Sequence, residues 1–256
     1  MRLALISDIH GKAIALDAVL ADIQACGDVD GYLVLGDLAA IGYDPAGVIE
    51  RLIGLPNMLF TMGNTDRYLV SGNFPPPSIE DVKVNSALLL QYTQVNRNFA
   101  WTQGYLTARG WLDWLAQLPL ETRTTLPNGM TLLGVHASPG HDDDPGIHPQ
   151  LSDEEIEIML NSCGADLVCV GHTHIPLDRT VGVTRVVNLG SISNPVTGDR
   201  RASYVILEAD SDSYCIQHRY VDYNHEAVIA AAHKAKYPGL AYLTKFMRGE
   251  VRSRWL

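Results

Sequence analysis

The sequence predicts an α/β protein in which two sheets pack within one domain, residues 1–256. Three observations carry this expectation. Apolar runs at residues 3–7, 32–36 and 57–62 are short and unbroken, as in strands buried on both faces. Helical patterns separate them, which is the order of a parallel sheet covered by helices. Past residue 120 more strands follow with little helix between them, which adds a second sheet.

Each element has a local reason. LALIS (3–7) is the first strand, and Ile14, Leu16, Val19, Leu20 and Ile23 then recur close to helical spacing over residues 12–25. YLVLG (32–36) is the second strand, PAGVIERLIG (45–54) a helix with proline near its start, and NMLFTM (57–62) the third strand. NFPPPS (73–78) breaks the alternation. Residues 74–118 then form a helical insertion rich in aromatics, among them Phe99, Trp101, Trp111 and Trp114, which packs on the core or serves as a lid. TRTTLPNGMTLLGVH (122–136) is a hairpin around Asn128-Gly129. HDDDPGIHP (141–149) is a loop, and residues 152–163 are a helix capped by Ser152 with Glu155 three residues on. DLVCVG (166–171) is another buried strand; TRVVNLGS, ASYVILEA and YCIQHRYV are successive strands, and a helical tail runs from about 222 to 256.

Composition narrows the function. A formal net charge of -10 argues against a broad basic surface gripping a nucleic-acid polymer. The four cysteines form no C-x-x-C pair and read mostly as small apolar residues, which fits a reducing compartment. No run is long enough to span a membrane. The expectation is a cytoplasmic protein that engages no membrane.

The chemistry gathers at the ends of the strands. Asp8 and His10 follow the first, Asp37 the second, Asn64 the third, His136 the hairpin, and His172 with His174 the strand at 166–171. Ligands of open α/β sheets bind outside the carboxyl ends of the strands. Singly, Asp8 reads equally as a helix cap, Asp37 as a turn residue and His136 as a core histidine. Together they make seven donors, more than a four-coordinate zinc site uses, and enough for two ions sharing one carboxylate. Imidazole and carboxylate without thiolate suit Mn, Fe, Co, Ni or Zn rather than calcium.

The ordered motifs Asp8-Ile9-His10, Gly36-Asp37, Gly63-Asn64-Thr65-Asp66, Gly134-Val135-His136 and Gly171-His172-Thr173-His174 resemble the calcineurin-like metallophosphoesterase superfamily, and most of all its small bacterial and archaeal phosphodiesterase-type members. NLGSISNP (188–195) resembles a segment of bacterial members, with Leu189 where proline is usual. The resemblance implies a four-layer α-β-β-α sandwich. It implies that Asp8, His10 and His174 hold one divalent ion, that Asn64, His136 and His172 hold the other, and that Asp37 bridges them. It further implies hydrolysis of a small phosphorylated substrate by a metal-bridging hydroxide.

Thr65 departs from that resemblance. Many relatives carry a histidine there that assists the leaving oxygen, and threonine is no general acid near neutral pH. General-acid help is worth on the order of 10²–10⁴-fold. The expectation is a preference for phosphodiesters or phosphoanhydrides with good leaving groups. A phosphomonoesterase, a protein or diadenosine-polyphosphate phosphatase, and a metal-binding scaffold with little activity remain alternatives. Arg67 contacts a substrate phosphate or pairs with Asp66. His141 or His148 supplies an acid, or both are exposed loop residues. Asp142–Asp144 read as a solvated run, and Arg200 and Arg201 as surface residues.

Overall fold

In the computed structural model, residues 1–251 are described except residues 144 and 162. β1 (Arg2–Ile6), β2 (Gly31–Leu35) and β3 (Met58–Thr61) run parallel, joined by α1 (Ala13–Ala25) and α2 (Pro45–Ile53). A helical stretch follows: α3 (Asn64–Ser71), α4 (Ile79–Val84), α5 (Leu89–Ala108) and α6 (Leu112–Leu115). β4 (Glu121–Thr125), β5 (Thr131–Val135), β6 (Leu167–Val170), β7 (Leu177–Val181) and β8 (Thr184–Asn188) build the second sheet, with α7 (Asp153–Leu160) between β5 and β6. β9 (Ala202–Ala209) and β10 (Tyr214–Val221) return to the first sheet, and α8 (His225–Lys234) and α9 (Leu240–Met247) follow. The strand orders are β10-β9-β1-β2-β3 and β4-β5-β6-β8-β7, each sheet mixing parallel and antiparallel pairs.

Alternating side chains produce the four layers. Leu5, Leu33 and Leu35 meet Leu167, Cys169 and Val187 between the sheets. Their neighbours Ala4, Ile6 and Val34 pack with Leu16, Val19, Val48 and Ile49 of α1 and α2. On the far side, Leu133, Val135, Val168 and Val170 pack with Ile156 and Leu160 of α7. Strands covered on both faces need apolar residues at every position, which is why these runs read as unbroken.

Some details depart from the sequence reading. β7 was not expected: it is an edge strand, and only its end residues, Leu177 and Val181, are buried. β8 does not continue into β9 but lies in the other sheet. The insertion is packed, with Phe99, Leu106 and Leu115 buried. Trp101 lies 5.3 Å from Tyr237 ring to ring, and the Tyr237 hydroxyl donates to Asn98 Oδ1 at 2.6 Å, which ties α5 to the segment between α8 and α9. The C-terminal tail is two helices with Pro238 and Gly239 between them; its expected residues 252–256, like Ser162 and Asp144, lie outside the described residues. Cys163 and Cys169 are buried, whereas Cys215 is exposed. No described helix is long and apolar enough to cross a membrane.

Candidate metal centre

All seven expected donors arrive at one place, from five loops at carboxyl ends of strands. Five of them sit in the left-handed backbone region: Asp8 (φ 57°), His10 (49°), Asp37 (55°), His172 (65°) and His174 (60°). Few non-glycine residues adopt it, and each costs on the order of 1–3 kcal/mol. Asp8 is therefore no helix cap, and Asp37 is no ordinary turn residue. The surroundings hold these conformations. The His10 N–H donates to Asp37 O at 2.9 Å, and the His172 N–H donates to Asp8 Oδ2 at 3.0 Å.

The side chains form two groups with Asp37 between them. His10 Nε2 lies 3.2 Å from His174 Nε2, 3.7 Å from Asp8 Oδ1 and 3.6 Å from Asp37 Oδ2. His174 Nε2 lies 3.1 Å from Asp8 Oδ1. Across Asp37, His136 Nε2 is 3.5 Å from Asp37 Oδ1 and 3.1 Å from Asn64 Oδ1, and the His136 and His172 rings are 5.2 Å apart. Donors bound to one ion at roughly 2.1 Å stand about 3–3.4 Å from each other, so this spacing suits ligands of a common ion. Asp8 Oδ1 is buried and makes no hydrogen bond, a costly state for a carboxylate oxygen unless a cation meets it. Two buried carboxylates, imidazoles and one amide oxygen, without thiolate, make a donor set that fits divalent transition metals.

Hydrogen bonds aim the imidazoles. His136 Nδ1 donates to Leu35 O at 2.6 Å and His174 Nδ1 to Asn194 O at 2.7 Å, so each directs Nε2 inward. Burial disfavours charge on His10 and pushes its pKa down to about 3, leaving the neutral ring that metals bind. Burial also disfavours charge on His136, but the Asp37 carboxylate outweighs it and pushes the pKa up to about 10; a dication on Asp37 would release that proton. Asp37 is raised by burial yet held well below the usual carboxylate range by His136.

The segment 63–66 has a different logic from a simple turn. Gly63 has an ordinary φ of -95° and caps α3, with Asn64 as its first residue. Glycine is needed for closeness: a Cβ there would lie 2.3 Å from both Asp37 N and Asp37 Oδ1. Asp66 accepts from the N–H groups of Gly63 and Leu38 at 3.1 Å each. Arg67 therefore does not pair with Asp66. Its Nε donates to Asp142 Oδ2 at 2.7 Å and its Nη2 to Asp143 Oδ2 at 3.1 Å, and Tyr68 also bonds Asp143. Asp142 and Asp143 are thus engaged rather than solvated, and Asp142 is buried, while residue 144 lies outside the described residues. His148 is buried too, against the exposed-loop reading, while His141 is exposed. Arg200 and Arg201 are exposed, as expected.

Thr65 faces the centre, not open space. Its N–H and its hydroxyl both donate to Asp37 Oδ1, at 3.0 and 2.8 Å. Sequence reasoning missed other supports. Asn188 Nδ2 lies 2.7 Å from Gly171 O and 3.0 Å from Thr173 Oγ1, which holds the loop of His172 and His174. Lys12 is fully buried, bonds Asn194 Oδ1 at 2.7 Å, and is pushed by burial down to about 7. Nothing in the local sequence separates a buried lysine from a surface one at the start of a helix.

Comparison with known proteins agrees with this geometry. A family model described as the calcineurin-like phosphoesterase superfamily domain matches residues 1–212. An uncharacterised protein of Methanocaldococcus jannaschii is 29% identical over 221 residues, covering 80% of this chain and 82% of that protein. A solved metallophosphoesterase from Sphaerobacter thermophilus is 26% identical with a TM-score of 0.75, covering 98% of this chain and 100% of that one. A hypothetical protein from Pyrococcus horikoshii shares the fold, with a TM-score of 0.80 at 19% identity over 96% of this chain and 97% of its own.

Proposed function

The chain belongs to the calcineurin-like phosphoesterase superfamily, and from that premise we propose that it hydrolyses phosphodiesters or phosphoanhydrides with good leaving groups, using two divalent metal ions. One observation carries the reading: the two oxygens of Asp37 face two separate donor groups, His10 on one side and His136 on the other. Asp8 and His174 complete the first group, and Asn64 and His172 the second. When bound, two such ions neutralise charge on a phosphoryl oxygen and make a water nucleophilic at neutral pH. Manganese, iron, cobalt, nickel and zinc all suit these donors.

The protein's own part is to fix positions. The two donations from Thr65 hold Asp37 Oδ1 in place. With that hydroxyl engaged, position 65 offers no proton to a departing oxygen, which favours leaving groups that depart as stable anions. The net charge of -10 favours a small substrate over a polymer. The free cysteines support a reducing, cytoplasmic setting.

The test is metal analysis of the purified protein together with aryl phosphodiester hydrolysis across a leaving-group series. Two equivalents of transition metal and rates that fall as leaving-group pKa rises are expected. Thr65→His should raise rates on alkyl leaving groups, by up to about 10²-fold. A rate independent of leaving-group pKa overturns the stated preference. Metal binding without any hydrolysis points instead to an interaction scaffold.

A further inference from the structure

A cavity of about 540 Å³ opens beside the centre, within the size range of small-molecule sites. Asn64 and Thr65 form its inner edge, so it adjoins the Asn64–His136 side. Its walls are helical, α5 on one side and α9 on the other. The α9 wall lies beyond the residues matched by the family model. The cavity is therefore built only in part from residues that the family model matches.

The lining has a definite chemistry. Gln91, Gln94 and Asn98 are spaced to share one face of α5. Among the described residues, neither glutamine side chain has a partner within the protein, and Asn98 engages only its Oδ1, with Tyr237. Tyr68 and Tyr242 add aromatic surface. Lys245, on α9, makes no ion pair among the described residues, although the chain carries a net charge of -10. Gln91, Gln94 and Lys245 are exposed, and Ile41, Val95 and Phe99 add apolar surface beside them. An amide presents a donor and an acceptor in one plane, which matches the edge of a heterocyclic base, and aromatic rings accept its face.

We propose that this cavity binds the nucleoside arm of the substrate, with Gln91, Gln94 and Asn98 reading the base and Lys245 meeting a further anionic group on that arm. The inference rests on the phosphoesterase reading and deepens it. Gln94 and Lys245 are both exposed, so replacing them leaves the core intact.

Calorimetric binding of AMP, ribose 5-phosphate and adenosine 3′,5′-bisphosphate to manganese-loaded protein tests it. AMP should bind at least about tenfold tighter than ribose 5-phosphate, and the bisphosphate tighter again. Gln94→Leu should shrink the ratio of AMP to ribose 5-phosphate affinity, and Lys245→Gln the ratio of bisphosphate to AMP affinity. Equal binding of AMP and ribose 5-phosphate, or ratios untouched by either substitution, overturns the inference. Aryl diester hydrolysis by the same preparation separates the failures. Hydrolysis without base preference rejects only the nucleoside arm; no hydrolysis with metal bound rejects the phosphoesterase reading and this inference with it.

Discussion

The loops that carry Asp8, Asp37 and His172 and the helices that wall the neighbouring cavity are held by different physics. The donors Asp8, His10, Asp37 and His136 are buried, His172 and His174 are partly so, and five of the donors take left-handed backbone conformations. Their atoms are so close that several glycines leave no room for a methyl group; a Cβ on Gly171 would sit 2.1 Å from Ser7 Oγ. The wall is looser. Leu89 and Leu90 of α5 are 54% and 68% exposed, and a Cβ on Gly104 of α5 would meet nothing within 4 Å. The floor of the site is thus over-determined and resists change, whereas the wall beside it can vary without disturbing the donors.

Gly63→Ala puts the largest strain on this comparison. The backbone at Gly63 already suits alanine, so the effect is purely one of contact, and the obstructing atom is the Asp37 main-chain nitrogen at 2.3 Å. Overpacking of this kind costs roughly 1–3 kcal/mol, and main-chain atoms yield less than side chains. Thermal denaturation should show lower stability, and elemental analysis should show reduced metal content, because Asp37 is displaced. A variant with native melting and full metal content would show that the floor is not tightly built.

Tyr237→Phe has a smaller effect and falls on the joint of the wall. It removes the only described hydrogen bond to Asn98 Oδ1, inside the contact between α5 and the C-terminal helices. Leaving that acceptor unpaired costs about 1–2 kcal/mol. Denaturant unfolding should record the loss while metal content stays at the native level. A fall in metal content would mean that wall and floor are coupled.

The same contrast explains what was legible in the sequence. The donors could be read because each stands directly after an apolar strand, and their residue types and order are local facts. The left-handed conformations that aim them are not local facts, since Asp8 and His174 carry no glycine-like signal. Thr65 showed where an acid is missing, but its engagement with Asp37 depends on a neighbouring strand end. Arg67 and Asp142 are 75 residues apart in sequence, so their pairing had no local trace. β7 escaped because an edge strand buries little, and only Leu177 and Val181 mark it. The cavity was the least legible part: helical patterning predicted α5 and α9, but not which faces they would turn toward each other.

Gly104→Ala gives the smallest effect and the sharpest contrast, because it makes the same chemical change as at Gly63 and should have the opposite sign. Gly104 lies inside α5, outside the left-handed region, and the added methyl has open space. Glycine in a helix interior is destabilising by roughly 0.5–1 kcal/mol relative to alanine, largely because of the freedom it gives the unfolded chain. The substitution should therefore raise the melting temperature by about 1–4 °C for a chain of this size, and metal content should not change. A destabilised Gly104→Ala would mean that the wall is packed as closely as the floor. The two regions would then differ in chemistry but not in tolerance, and the cavity would be as constrained as the centre it borders.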